Sequence, residues 1–90
     1  MNKYIKTPDD VVDLHGYTVS EAKILLDSLI SKKQPKHLRI ITGRGAHGQN
    51  GPVIKTFVMK YLGDRNIRFN QSKIQDGGEG SLEVFMVEKY

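Results

Sequence analysis

The chain has 90 residues, 14 Lys and Arg against 10 Asp and Glu, no cysteine and 38% hydrophobic content. That length holds one small domain and no second one. Zero cysteine excludes disulfides, thiolate nucleophiles and Cys-ligated zinc together, and it fits a reduced intracellular compartment, the cytoplasm or in a eukaryote the nucleus.

Residues 1–9 read as a lead-in and 10–90 as the domain. Met1–Pro8 is polar, with Lys3 and Lys6, and predicts neither a signal peptide nor a membrane span. Val11-Val12-Asp13-Leu14 is a short apolar run closed by Gly16, which predicts a strand. Thr18-Val19-Ser20-Glu21 has the form of a capping box, in which the Thr18 hydroxyl and the Glu21 carboxylate satisfy each other's backbone amides. Behind it Val19, Ala22, Leu25, Leu26, Leu29 and Ile30 recur at spacings of three and four, a one-sided helix ending near Lys33 with Pro35 beyond. Leu38–Thr42 predicts a second strand, and Gly43–Gly51 a glycine-rich loop. Pro52 suits the first turn of a second helix, with Val53, Ile54, Phe57, Val58, Tyr61 and Leu62 on one side and Gly63 as its stop. Ile67-Arg68-Phe69 opens a third strand, Gly77–Gly80 a turn, and Ser81–Val87 the last strand. The order β-α-β-α-β-β, with right-handed crossovers, predicts an α/β two-layer sandwich: a four-stranded mixed sheet with two helices on one face.

The charge is uneven. Ser31–Gln75 holds ten bases and one acid, Asp64, for a net of +9, whereas residues 1–30 carry −2 and residues 76–90 carry −3. A basic middle between acidic ends fits a surface for polyanions. It fits equally a solvated face whose lysines maintain solubility.

Asp13 and His15 are two apart at the end of the first strand, so they share a face while Val12 and Leu14 point into the helix-covered core. The carboxyl edge of parallel strands is where open α/β sheets bind ligands. A carboxylate beside an imidazole can hold its tautomer for acid–base work. The plain alternative is a turn cap at Asp13 and a loop-filling His15. Gly43-Arg44-Gly45-Ala46-His47-Gly48 reads literally as G-x-G-x-x-G. The following helix begins beyond the third glycine, however, and 90 residues lack the second mononucleotide-binding half, which argues against a dinucleotide site. Glycine amides beside a helix N-terminus still suit phosphate, with Arg44 as a planar fork and Lys55 one turn inside the helix. Both loops, and the Gly77–Gly80 turn if the last strand is antiparallel, fall on one edge. His15, His37 and His47 lack the spacing of a helical metal pair. A divalent ion (magnesium or manganese) held in part by Asp13 stays open.

Val12-Asp13-Leu14-His15-Gly16, Thr42-Gly43-Arg44-Gly45, the stretch Ala46–Leu62 and Gly77-Gly78-Glu79-Gly80 together resemble the Smr (small MutS-related) domain family over residues 10–88. Val12 replaces the family's first leucine. Gly48 stands where the longer-loop form has serine, so a hydroxyl for phosphate is missing there. The resemblance implies a sandwich like the C-terminal domain of a bacterial translation initiation factor, and nucleic-acid binding with DNA nicking or RNA cleavage in several members. It makes Asp13 and His15 the catalytic pair and Gly43, Arg44 and Gly45 the substrate-binding loop. Gly16, Thr42, His47, Lys55, Gly78 and Gly80 complete the expected nucleic-acid contacts. Binding without catalysis is the alternative function. The expected partner is DNA or RNA, with no membrane, and the expected state is a monomer.

Overall fold

The computed structural model describes residues 8–32, 36–43 and 51–86, the last without the side chains of 51 and 52. Four strands and two helices follow the expected order: β1 (Asp10–Asp13), α1 (Val19–Lys32), β2 (His37–Ile41), α2 (Gly51–Asp64), β3 (Arg68–Gln71) and β4 (Ser81–Phe85). Two 3-10 turns, Ile74–Asp76 and Gly78–Gly80, connect β3 to β4.

The sheet order is β1-β2-β4-β3, so β4 is inserted between β2 and β3 and runs antiparallel to both. β1 and β2 are parallel, with Val12 opposite Ile40 and Asp13 opposite Ile41. Both helices cover one face, making the expected two-layer sandwich. Leu38 and Ile40 from β2 and Leu82 and Val84 from β4 meet Ala22 and Leu26 of α1 and Ile54, Val58, Tyr61 and Leu62 of α2 in one buried cluster. Leu14, just past β1, is also fully buried. The side chains alternating with these, including Asp13, Arg39 and Glu83, belong to the open face.

The α1 N-terminus forms as its sequence predicts. The Thr18 amide donates to Glu21 Oε1 at 3.0 Å and the Glu21 amide to Thr18 Oγ1 at 3.1 Å. Across the helix pair, the Tyr61 hydroxyl donates to Asp27 Oδ1 at 2.6 Å, and the Arg65 guanidinium lies 3.6 Å from the Tyr61 ring centre. Burial and the bond to Asp27 push the Tyr61 phenol up to about 12.

Two expectations for α2 change. Val53 lies on the flank of the apolar stripe, one turn before Phe57, and is 55% exposed rather than packed in the core. Gly63 does not stop the helix, which continues to Asp64. The stop is Asn66, with φ of 58°, where the Asn66 amide donates to the Gly63 carbonyl at 3.0 Å and the Ile67 amide to the Leu62 carbonyl at 2.9 Å. These are the paired bonds of a Schellman end, and asparagine tolerates the left-handed conformation they require.

The open face has its own polar core. Glu83 is 7% exposed and faces Arg39 of β2 and Asn70 of β3. His37 Nε2 lies 2.6 Å from Glu83 Oε1, Arg39 Nε donates to Oε2 at 2.7 Å, and the Ser72 hydroxyl also donates to Oε2. Burial alone would raise the Glu83 pKa. The bonds from Ser72, His37 and Arg39, with the Arg39 charge, outweigh it and hold the carboxyl below its ordinary 4.5.

Gly63→Ala should stabilise the fold by roughly 0.5 kcal/mol, because Gly63 has ordinary φ and no neighbour where a Cβ would stand. Asn66→Ala should destabilise it by about 1 kcal/mol, since alanine resists left-handed φ. Urea unfolding of both variants checks the signs, which would reverse if Gly63 ended the helix. Glu83→Gln should lower stability at neutral pH and flatten its acid dependence. A depressed carboxyl contributes stability above its unfolded pKa and loses it as pH falls through the lower folded value. Unfolding midpoints of wild type and variant should therefore converge below the ordinary carboxylate range.

Candidate functional site

The end of β1 brings Asp13 and His15 together. The Leu14 amide continues the parallel ladder by donating to the Ile41 carbonyl at 2.7 Å. The chain then turns through Gly16, with φ of 85°, and the Tyr17 amide donates back to the Leu14 carbonyl at 3.0 Å. This turn places the His15 amide 3.0 Å from Asp13 Oδ1 and His15 Nδ1 3.0 Å from the same oxygen. The backbone bond first, and the ring bond second, lower the Asp13 pKa below its ordinary 3.8. Asp13 thus stays ionised through the whole neutral range. His15 Nδ1 is engaged by this contact, and Nε2 is the ring nitrogen left without a partner among the described residues. The two side chains are open, His15 73% and Asp13 52% exposed.

The second motif meets the first here. Gly43 has φ of 81°, and a Cβ built on it would stand 3.3 Å from His15 Cβ. Glycine at this position therefore gives the imidazole its room as well as permitting the turn. The glycine turn before β4 reaches the same edge, because the Gly80 carbonyl accepts the Thr42 amide at 2.8 Å and the Gly43 amide at 3.1 Å. Gly77 supports that turn with φ of 122°, where a Cβ would meet Ser81 Cβ at 2.6 Å.

These bonds spend groups that the sequence pattern assigns to nucleic acid. The amides of Thr42, Gly43, Gly78 and Gly80 all donate within the fold, the last two to the carbonyls of Lys73 and Gly77. Thr42 is fully buried and its hydroxyl donates to the Gly43 carbonyl at 3.3 Å. Lys55 Nζ donates to the Glu79 carbonyl at 2.9 Å and to Gln71 Oε1 at 3.3 Å, tying α2 to the glycine turn. Gly16, exposed beside His15, stays at the edge. Arg44, Gly45 and His47 lie outside the described residues.

Among the described residues, no three His, Asp or Glu side chains gather as a metal cage. One carboxylate and one imidazole do not by themselves make a site for magnesium or manganese, which are held by oxygen ligands in near-octahedral geometry. The open-face set around Glu83 escaped the sequence reading. Its signal lay in the polar residue between Leu82 and Val84, and in His37 and Arg39 alternating with Leu38 and Ile40.

The Smr domain family model matches residues 12–86. Human NEDD4-binding protein 2 is 40% identical over 88 residues, a match covering 88% of this chain and only 5% of that protein. The solution structure of the SMR domain of NEDD4-binding protein 2 is 33% identical with a TM-score of 0.69, covering 99% of this chain and 97% of that one. A crystal structure of a human small-MutS related domain is 37% identical with a TM-score of 0.60, over 82% of this chain and 96% of that one. The family model takes in the Asp13–His15 turn, the second glycine motif and β4 alike, and the chain belongs to the Smr domain family.

Proposed function

We propose that this domain binds nucleic acid and cleaves phosphodiester bonds, nicking DNA or cutting RNA, with His15 moving the proton and Asp13 orienting it. The observation that carries this reading is the 3.0 Å pairing of His15 Nδ1 with Asp13 Oδ1 on an imidazole that remains 73% exposed. With the Nδ1 proton donated to Asp13, Nε2 presents its lone pair outward. It takes a proton from an attacking water as the water oxygen bonds to phosphorus. The bond to the 3′-oxygen breaks on the opposite side of phosphorus, that oxygen takes its proton from solvent water, and the imidazolium returns its proton to solvent, leaving a 5′-phosphate end. Arg44 is the proposed donor to the phosphorane oxygens. The same exposure favours a second reading, in which this edge binds strands without cutting them.

Supercoiled plasmid and structured RNA, each with magnesium and with EDTA, separate the two readings and show whether a metal is needed. Wild type should cut, and His15→Ala and Asp13→Ala should each lose about 100-fold or more in rate, within the range of acid–base contributions. Affinity should stay within a few-fold, because the pair meets the reacting phosphate and not the length of the strand. Binding without cleavage in every condition would leave the second reading. Cyclic phosphate ends that persist in EDTA would replace water attack by attack of the RNA 2′-hydroxyl.

Arg44→Ala should weaken binding to unrelated sequences alike and reduce the slope of log K against log salt by roughly 0.7–0.9. Lys55→Met should leave that slope unchanged and lower the thermal midpoint, since its ammonium serves the Glu79 carbonyl. A slope change for Lys55→Met as large as that for Arg44→Ala would make Lys55 a phosphate contact.

A further inference from the structure

The open face holds a depression of about 360 Å³ that the Asp13–His15 pair does not use, lined by His37, Arg68, Asn70, Lys73, Asp76, Glu83 and Phe85. Its volume is that of a small-ligand site. The sheet register assembles it, since Phe85 of β4 is paired with His37 of β2 on one side and Arg68 of β3 on the other. The His37 and Phe85 rings stack with centres 4.9 Å apart. The Arg68 guanidinium stands 5.6 Å from the Phe85 ring centre, much looser than the 3.6 Å at which Arg65 lies on Tyr61. An exposed arginine at that distance can swing outward and free ring surface for another planar group.

The distribution of charge says which planar group fits. Lys23, Arg39, Lys60 and Arg65 all form ion pairs, and Lys55 is bonded to a carbonyl and an amide oxygen. Lys32, Lys36, Arg68 and Lys73 have no carboxylate partner among the described residues, and of these only Arg68 and Lys73, both exposed, line the depression. The acids beneath them are already engaged. Glu83 holds His37, Arg39 and Ser72, and Asp76 lies 3.7 Å from Arg39. Aromatic surface beside two unspent cations matches a base and its phosphate.

We propose that this depression binds one nucleotide of the strand that the Asp13–His15 edge engages, its base on Phe85 and His37 and its phosphate on Arg68 and Lys73. The proposal rests on the nucleic-acid reading above. Asp13 and Phe85 share the open face two strands and four residues apart, which at ~3.3 Å per residue and ~4.8 Å per strand is about 16 Å. The subsite therefore grips the strand several nucleotides away from the scissile bond.

The test is fluorescence anisotropy of end-labelled ten-nucleotide single strands, RNA and DNA, titrated with wild type, Arg68→Ala, Lys73→Ala and Phe85→Leu across a salt series. Arg68→Ala and Lys73→Ala should each reduce the log–log salt slope by about 0.7, the value for one phosphate contact on a single strand. Phe85→Leu should weaken binding about fivefold or more with the slope unchanged, as loss of one stacking contact does. The thermal midpoints of the two cation variants, both at exposed positions, should stay near wild type and keep the test independent of folding. If wild type binds and both cation variants match it in affinity and slope, the subsite is overturned while the nucleic-acid reading stands. If wild type binds neither strand, both readings fall together.

Discussion

Glu83 is a carboxylate in the middle of β4, one of the two inner strands, and its burial constrains both layers of the molecule. Strand side chains alternate, so the register that puts Leu82 and Val84 into the helix-covered core also sends Glu83 to the opposite face. There it is compensated only because His37, Arg39 and Ser72 stand within bonding distance. A slip of one residue would drive a charge into the Leu38–Ile40 cluster and strand Leu82 and Val84 against Arg39. An unpaired carboxylate in apolar surroundings costs several kcal/mol. The same register carries the Gly78–Gly80 turn to the end of β2, where the Gly80 carbonyl holds the loop behind His15.

Among the described residues two carboxylate–imidazole pairs occupy the open face, and their surroundings differ. His37 and Glu83 are 2.6 Å apart with side chains 15% and 10% exposed, enclosed by Arg39 and Ser72. Both Glu83 oxygens are engaged, by side chains from β2 and from the residue after β3, so the pair ties neighbouring strands together. His15 and Asp13 are 3.0 Å apart and open to solvent. Residue type alone does not distinguish the two pairs. Saturation by further partners makes one structural and leaves the other available for chemistry.

Local rules made much of this legible. The capping box at Thr18 and Glu21 needs only four consecutive residues, and it forms as written. The strand–helix order and the shared face of Asp13 with the open side follow from periodicity, which is also local. Glycine is the commonest helix stop, which makes Gly63 the local expectation, yet Asn66 offers the same left-handed conformation three residues later with a side chain that tolerates it. The Glu83 cluster was out of reach for a different reason. Its members come from positions 37, 39, 72 and 83, and only the insertion of β4 between β2 and β3 makes them neighbours. Chain order carries no direct signal for such an insertion. Lys55 shows the remaining gap: its place one turn inside a helix was readable, but the Glu79 carbonyl that captures its ammonium belongs to a turn 24 residues away.

Gly43 ties the two motifs together sterically, because the space a side chain would fill there is bounded by His15 Cβ at 3.3 Å. A genetic scan would therefore confound two roles at this position. A side chain at 43 would press on His15 Cβ and strain a left-handed backbone at once. The effect would register as a defect of the glycine loop while arising in part at His15. In mutational terms the two motifs form one unit, and only a double-variant comparison with His15 can tell which half has failed.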